Sequence, residues 1–297
     1  MIFSPDELRA RPALADGGWS SVLRQRGLPL DVAQAEGMNL AAPALVRNLA
    51  REYVAAGVQF LSTNTFAANR AAIHPDLQKE LRAINRVGAE ICRDAIGDRS
   101  IMLCGTIGPS GKILAVGEVS EDEIEGIFSE AAQGLVDGKV DAFLLETFSE
   151  IKEALIAIRA IRNVADIPVI ASFSFDSGPQ RTHTLSGDSA ADCAEKLADA
   201  NLYAIGSNCG AGAAHALPAV VALHSAYDGL LFAKPSGGFP EIVEERPVYK
   251  IEPKDFAEDA LELTEAGVHI VGGCCGVGPD AITQLGKMMT RRAAKKK

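Results

Sequence analysis

The chain has 297 residues with a net charge of −10, 47% hydrophobic residues and only 5% aromatic ones. The apolar fraction supports a sizeable core built from Ala, Leu, Ile and Val, at a length usual for a single α/β barrel. The acidic balance argues against a nucleic-acid partner, and the longest apolar runs are far too short to span a membrane.

Read from its start, Met1-Ile2-Phe3-Ser4-Pro5-Asp6 lacks a basic segment followed by an apolar one, so no secretory signal is expected. Residues 13–16 form the first short apolar strand segment. The long stretch 17–42 that follows reads as an active-site loop or excursion. Helix 43–56 opens on Pro43, which suits a first helical position, and Gly57 stops it. Strand 58–63, helix 78–96 and strand 101–105 come next. Helix 121–138 begins at Ser120-Glu121-Asp122-Glu123, a capping box with acids at the positive helix end. Strands 142–146, 168–173, 202–207, 230–234 and 268–272 then alternate with helices 150–165, 188–200, 211–227, 253–266 and 279–292. The basic tail 291–297 reads as a solvated helix end. Strand and helix alternate eight times without linker, repeat or low-complexity segment, which predicts one domain over residues 1–297, a (β/α)8 TIM barrel. A doubly wound open sheet is the alternative.

Chemistry in such barrels sits at the carboxyl ends of the strands. Those ends here carry Asp16-Gly17-Gly18, Asn64-Thr65, Gly105-Thr106, Glu146-Thr147, residues 172–175, Asn208-Cys209, Lys234-Pro235 and Cys274-Cys275.

Two of these ends are Gly-rich turns bearing three cysteines, Gly206-Ser207-Asn208-Cys209-Gly210 and Gly272-Gly273-Cys274-Cys275-Gly276. Three thiolates without an obvious fourth partner suggest a zinc ion with one position open, which is a catalytic arrangement. Adjacent cysteines can share one metal only in an unusual turn, and the flanking glycines supply that freedom. Zinc with three thiolates is a poor Lewis acid for a carbonyl, but it suits an incoming thiol. A free thiol of pKa about 8.5 is only a few per cent ionised at neutral pH, and full ionisation is worth roughly 2 kcal/mol. The chemistry expected is therefore attack by a substrate thiolate on an electrophilic carbon. The plainer alternative makes Cys274 and Cys275 small buried residues or a redox pair. Cys92 and Cys193 lie in helical patterns and read as core, as does Cys104 within a strand. Six cysteines at this length need no disulfide framework, so reduced thiols in the cytoplasm are expected.

At these residues the chain resembles the homocysteine S-methyltransferase family, the zinc barrel also found as the homocysteine-binding part of cobalamin-dependent methionine synthase. The resemblance runs from Asp16-Gly17-Gly18 through Thr63-Asn64-Thr65-Phe66, Gly105-Thr106-Ile107-Gly108-Pro109, Leu145-Glu146-Thr147 and Gly206-Ser207-Asn208-Cys209 to the Gly-Gly-Cys-Cys-Gly turn. That turn paired with Asn-Cys is its specific part. The resemblance implies Zn2+ held by Cys209, Cys274 and Cys275, with homocysteine as methyl acceptor and methionine as product. It implies Asp16 and Glu146 as acceptors for the amino group of homocysteine, and backbone amides at Gly17 and Gly18 for its carboxylate. Without it, Asp16 reads equally as a turn former and Glu146 as a polar partner in the barrel rim. Asn64 reads as an orienting substrate-binding group or as a turn residue.

One segment departs from the family pattern. Where a Pro-Asn-Ala-Gly type of turn is usual, this chain has Ala233-Lys234-Pro235-Ser236-Gly237-Gly238. Lys234 then reads as a contact for an anionic donor such as a folate tail, or as a rim salt bridge. A third reading is the nucleophile of a Schiff-base barrel aldolase, which gives three glycine-flanked cysteines no work. A further alternative is a homocysteine-activating subunit that works only with a separate corrinoid or folate methyl-carrier protein, since 297 residues leave no room for such a module beside a barrel. The methyl donor stays open among S-methylmethionine, S-adenosylmethionine, betaine, methylfolate and methylcobalamin. Thr63-Asn64-Thr65-Phe66 resembles methionine-synthase and S-methylmethionine members more than betaine-using ones. Trp19 either walls the pocket beside Asp16 or packs the long loop.

Overall fold

The computed structural model describes residues 2–28, 34–114, 117, 119–244 and 246–295. Seven strands come first, β1 (Ala13–Leu14), β2 (Phe60–Ser62), β3 (Met102–Ile107), β4 (Ala142–Phe148), β5 (Val169–Phe173), β6 (Ala204–Cys209) and β7 (Leu230–Pro235). An antiparallel hairpin follows, β8 (Glu241–Val243) and β9 (Arg246–Val248), and then β10 (Ile270–Val271). Eight parallel strands run β1-β10-β7-β6-β5-β4-β3-β2. A parallel bridge between Ala15 and Phe60 joins the two ends. There Gln59 N donates to Leu14 O (2.7 Å) and Asp16 N to Phe60 O (3.1 Å), so the sheet closes into a (β/α)8 barrel.

The strands are buried on both faces, which is why they read as short continuous apolar runs rather than as alternations. Alternate residues nevertheless enter two separate cores. Ala13, Phe60, Met102, Leu144, Ile170 and Phe232 fill the barrel interior, while Leu14, Leu61, Leu103, Leu145, Val169 and Leu231 meet the helices outside. Leu8 joins the interior from below, and Phe3 stacks on Phe60 with ring centroids 5.5 Å apart.

The helices are α1 (Pro5–Ala10), α2 (Ser20–Gln25), α3 (Met38–Ala41), α4 (Pro43–Ala55), α5 (Leu81–Ile96), α6 (Glu121–Asp137), α7 (Ile151–Val164), α8 (Ala190–Leu197), α9 (Ala213–Ala226), α10 (Pro253–Glu265) and α11 (Pro279–Lys295). From α4 to α11 each packs on the next, and α11 returns to α4. Each of the eight expected helices is present. Helix α8 is shorter than the 188–200 expected: Ser189 caps its start in a capping box with Asp192, and it ends at Leu197. Short α1, α2, α3 and the hairpin were not legible, since each is too brief to show a periodicity. The stretch 17–42 holds α2, a 3-10 turn Ala35–Gly37 and α3, while 29–33 lie outside the described residues. The basic tail is helical to Lys295, and Lys296 and Lys297 lie outside the described residues. Among the described residues no helix is long and apolar enough to cross a membrane.

At the start of α6, Glu123 N donates to Ser120 Oγ (3.3 Å) and Ser120 N to Glu123 Oε2 (2.9 Å), which is the capping box read from the sequence. Ser120→Ala should therefore lower the unfolding free energy by about 1 kcal/mol. The check is a lower urea midpoint with an unchanged slope.

Candidate metal and substrate site

The barrel brings Cys209, the last residue of β6, against Cys274 and Cys275, which follow β10. The loop after β7 holds both segments. Ser236 N donates to Cys209 O (3.0 Å), Cys274 N to Pro235 O (2.8 Å) and Gly237 N to Cys275 O (2.7 Å). Cys209 has φ 64°, a left-handed conformation that non-glycine residues seldom adopt and that turns its side chain toward the pair. Gly276 has φ 77°, and a Cβ there would enter the Tyr249 ring, so this turn needs glycine.

The three sulfurs lie within 4.8 Å of one another, and Cys209 Sγ is 3.9 Å from Cys275 Sγ. A tetrahedral ion with metal–sulfur bonds of about 2.3 Å needs sulfurs about 3.8 Å apart, so the cluster fits one. The three thiols are unequal. Hydrogen bonds from Cys209 and then Cys274 hold the Cys275 thiol far below its usual value. Cys209, bonded to Cys274 and Cys275, is raised instead. A cation is what would let all three ionise together. Cys92, Cys104 and Cys193 are buried elsewhere, and burial raises each thiol, as expected of core residues.

Beside the sulfurs lies a buried ionic cluster. Asp16 follows β1, Glu146 is in β4 and Lys234 is in β7. Lys234 Nζ stands 2.9 Å from Asp16 Oδ1 and 3.1 Å from Glu146 Oε1, with 2% of the lysine side chain exposed. Nζ also donates to Ser62 Oγ (3.3 Å). Asp16 Oδ2 accepts from Trp19 Nε1 (3.0 Å), Ser62 N (2.9 Å) and Ser62 Oγ (2.6 Å). Burial opposes the charge on Lys234, but Asp16 and Glu146 outweigh it and hold the ammonium above the usual lysine value. Burial pushes the Glu146 carboxyl up to about 7, against the pull of Lys234. A shift of register in β4 between Leu145 and Phe148, with Thr147 at φ 63°, aims Glu146 into the mouth.

Asn208 ties the two halves of the site. Its Oδ1 accepts from Thr147 N (2.8 Å) and Ser172 Oγ (2.7 Å), its Nδ2 donates to Thr147 Oγ1 (2.7 Å), and the same nitrogen is 3.9 Å from Cys274 Sγ. Sequence reasoning gave Asn208 no role of its own, although it stood beside Cys209 in the motif. Ser62 was missed as well, because a serine in an apolar strand carries no local signal.

Three readings change. Both N–H groups of the Asn64 carboxamide are used by Ala35 O (2.8 Å) and Asn39 Oδ1 (3.1 Å), so Asn64 tethers the excursion and has no donor left for a substrate. Gly18 N donates to Val277 O (2.9 Å), which commits the amide that the resemblance assigned to a carboxylate. A Cβ on Gly18 would stand 2.5 Å from Cys274 O, so close backbone approach explains that glycine. Of the readings of Lys234, the salt bridge is the one the structure shows: its ammonium is paired with Asp16 and Glu146 and buried with them, instead of standing open to a donor. Trp19 is buried, tilted on Tyr53 at 5.7 Å and bonded to Asp16, so it packs rather than forming an open cage.

A (β/α)8 barrel with three thiols converging at its carboxyl-terminal mouth defines a class of barrel proteins. Within it, the chain belongs to the homocysteine S-methyltransferase family, whose model matches residues 13–289. It is 28% identical to methionine synthase of Mycobacterium tuberculosis (strain ATCC 25618 / H37Rv) over 94% of this chain, and 25% identical to that of Mycobacterium leprae (strain TN) over 96%. It spans a quarter of the length of these curated relatives, 25% of each. In fold it is similar to the homocysteine methyltransferase MmuM of Escherichia coli, at TM-score 0.78 for an oxidized form and 0.77 for a metallated form. Each comparison has 21% identity and covers 93% of this chain and 96% of the other.

The raised Glu146 carboxyl has a consequence for stability. Folded, it keeps its proton up to about 7, whereas the ordinary value is 4.5, so between these values the folded state binds more protons. That contribution is fully present below the lower value and is lost as pH rises through the upper one. Glu146→Gln should flatten the fall in Tm between about pH 5 and about pH 7.5 relative to wild type, as followed by thermal unfolding.

Proposed function

We propose that the chain binds Zn2+ through Cys209, Cys274 and Cys275 and transfers a methyl group from an activated donor to the thiol of homocysteine, giving methionine. The observation that carries this reading is the sulfur triangle, with its 3.9 Å edge, opening beside a buried carboxylate pair at the barrel mouth. Zinc bound there would hold an incoming thiol in its ionised, nucleophilic form. The chain's own residues do the rest. Cys209 in its left-handed turn and the Cys274-Cys275 pair present three donors on one side and leave the other side to the substrate. Asn208 braces Cys274 against Thr147 and Ser172. The anionic cluster of Asp16 and Glu146 around Lys234 meets the substrate's amino group. With Gly18 committed to Val277, the Gly17 amide is the one left for the carboxylate.

In the reaction the thiol gives up its proton to solvent water, its sulfur lone pair forms a bond to the methyl carbon, and the donor's bond to that carbon breaks with its electron pair leaving on the donor. Fixing the sulfur in line with the methyl group converts a bimolecular encounter into an effectively unimolecular step. Three reduced thiols at the site accord with a cytoplasmic setting.

A second reading is favoured by the match to a quarter of methionine synthase: a homocysteine-activating module that takes its methyl group from a separate corrinoid or folate carrier protein. A donor panel separates the two. Turnover with S-methylmethionine, S-adenosylmethionine or betaine alone eliminates dependence on a carrier, and turnover only with a methylated corrinoid supports it.

Cys274→Ala should lose both metal and turnover. The purified wild-type chain should hold about one zinc per chain by elemental analysis, and a chelator should abolish activity until zinc returns. A Cys274→Ala variant with full activity would overturn the ligand assignment.

A further inference from the structure

Counting donors around the ionic cluster separates its two carboxylates. A carboxylate offers about four acceptor positions and a lysine three donors. Asp16 receives Trp19 Nε1, Ser62 N and Ser62 Oγ on one oxygen and Lys234 Nζ on the other. Four contacts thus surround its two oxygens, and the residue is 1% exposed. Lys234 directs its ammonium at Asp16, Ser62 and Glu146, so its donors are used too. Glu146 differs. Lys234 Nζ is its ion-pair partner at 3.1 Å, and among the described residues Oε1 has no other polar partner. At 7% exposure, Glu146 is also the more open of the two carboxylates. With both carboxylates ionised, one lysine leaves the cluster one positive charge short, and the acceptor open to a further cation is on Glu146.

We infer that Lys234 withdraws Asp16 from the acceptor substrate and leaves Glu146 as the one carboxylate that reads its ammonium. Lys234 thereby determines specificity, selecting thiols that carry a single positive charge. Asp16 becomes a positioning residue that holds Lys234 and Ser62. This rests on the thiol-binding reading above and divides between two residues a role that reading gives to both.

The test compares homocysteine with 4-mercaptobutanoate, which differs from it by lacking the amino group. Both are titrated into the full-length chain loaded with cobalt(II), and the sulfur-to-cobalt charge-transfer absorption reports binding. Wild type should favour homocysteine by about tenfold or more. Glu146→Gln should bring the ratio close to one. Asp16→Asn should weaken both thiols together and leave the ratio within about threefold of wild type, a pattern that general damage to the site cannot produce for one variant and not the other. Lys234→Met frees Asp16, so the preference for homocysteine should rise, and adding Asp16→Asn to it should bring the preference down again. The inference is overturned if Asp16→Asn erases the preference as Glu146→Gln does. If Asp16→Asn does not fold, Lys234→Met decides, and an unchanged or reduced preference overturns the inference. Absence of any charge-transfer band with either thiol in wild type overturns the thiol-binding reading and this inference with it, whereas a band with the wrong ratios overturns this inference alone.

Discussion

The ammonium of Lys234, held between Asp16 and Glu146, is the interaction around which the barrel mouth is organised. It joins residues at the ends of β1, β2, β4 and β7, four strands far apart in sequence. Burying three charges in this way carries a large desolvation cost, which attraction recovers only where geometry and further hydrogen bonds are good. Asp16 meets that condition through Trp19 and Ser62. Glu146 does not, and its raised carboxyl records the shortfall. An incompletely satisfied carboxylate beside a cluster of converging thiols is a pattern of functional sites rather than of well-packed cores.

The sulfur cluster obeys a related constraint. Three thiols this close cannot all be anionic without a cation, and two Gly-rich turns, a left-handed Cys209 and a loop from a third strand converge there. The loop after β7 links the two centres: Lys234 enters the ionic cluster, while Pro235, Ser236 and Gly237 bond the backbones of the cysteine turns. The segment that departs most from the family pattern is therefore the one that connects ion pair to thiols.

Much of this was legible in local pattern. Eight strand segments and their helices follow from period, proline starts and glycine stops, because those signals depend only on neighbouring residues. The capping box at Ser120 and the cysteine turns were legible for the same reason. Elements of a few residues were not: α2 and α3 have no side-chain cap, and α1, although it has a Ser4–Glu7 capping box ahead of Pro5, is too short to show a period.

Sequence by itself determined the barrel, the strand ends at its mouth and the three cysteines that converge there. Only the tertiary structure decided what the polar residues at those ends do. Asn64 turned outward to Asn39, the Gly18 amide went to Val277, and Lys234 passed from rim to interior. The physical reason is that a hydrogen-bonding group has few partners to give, and which one takes it is settled by strands that meet only when Ala15 pairs with Phe60 and the sheet closes.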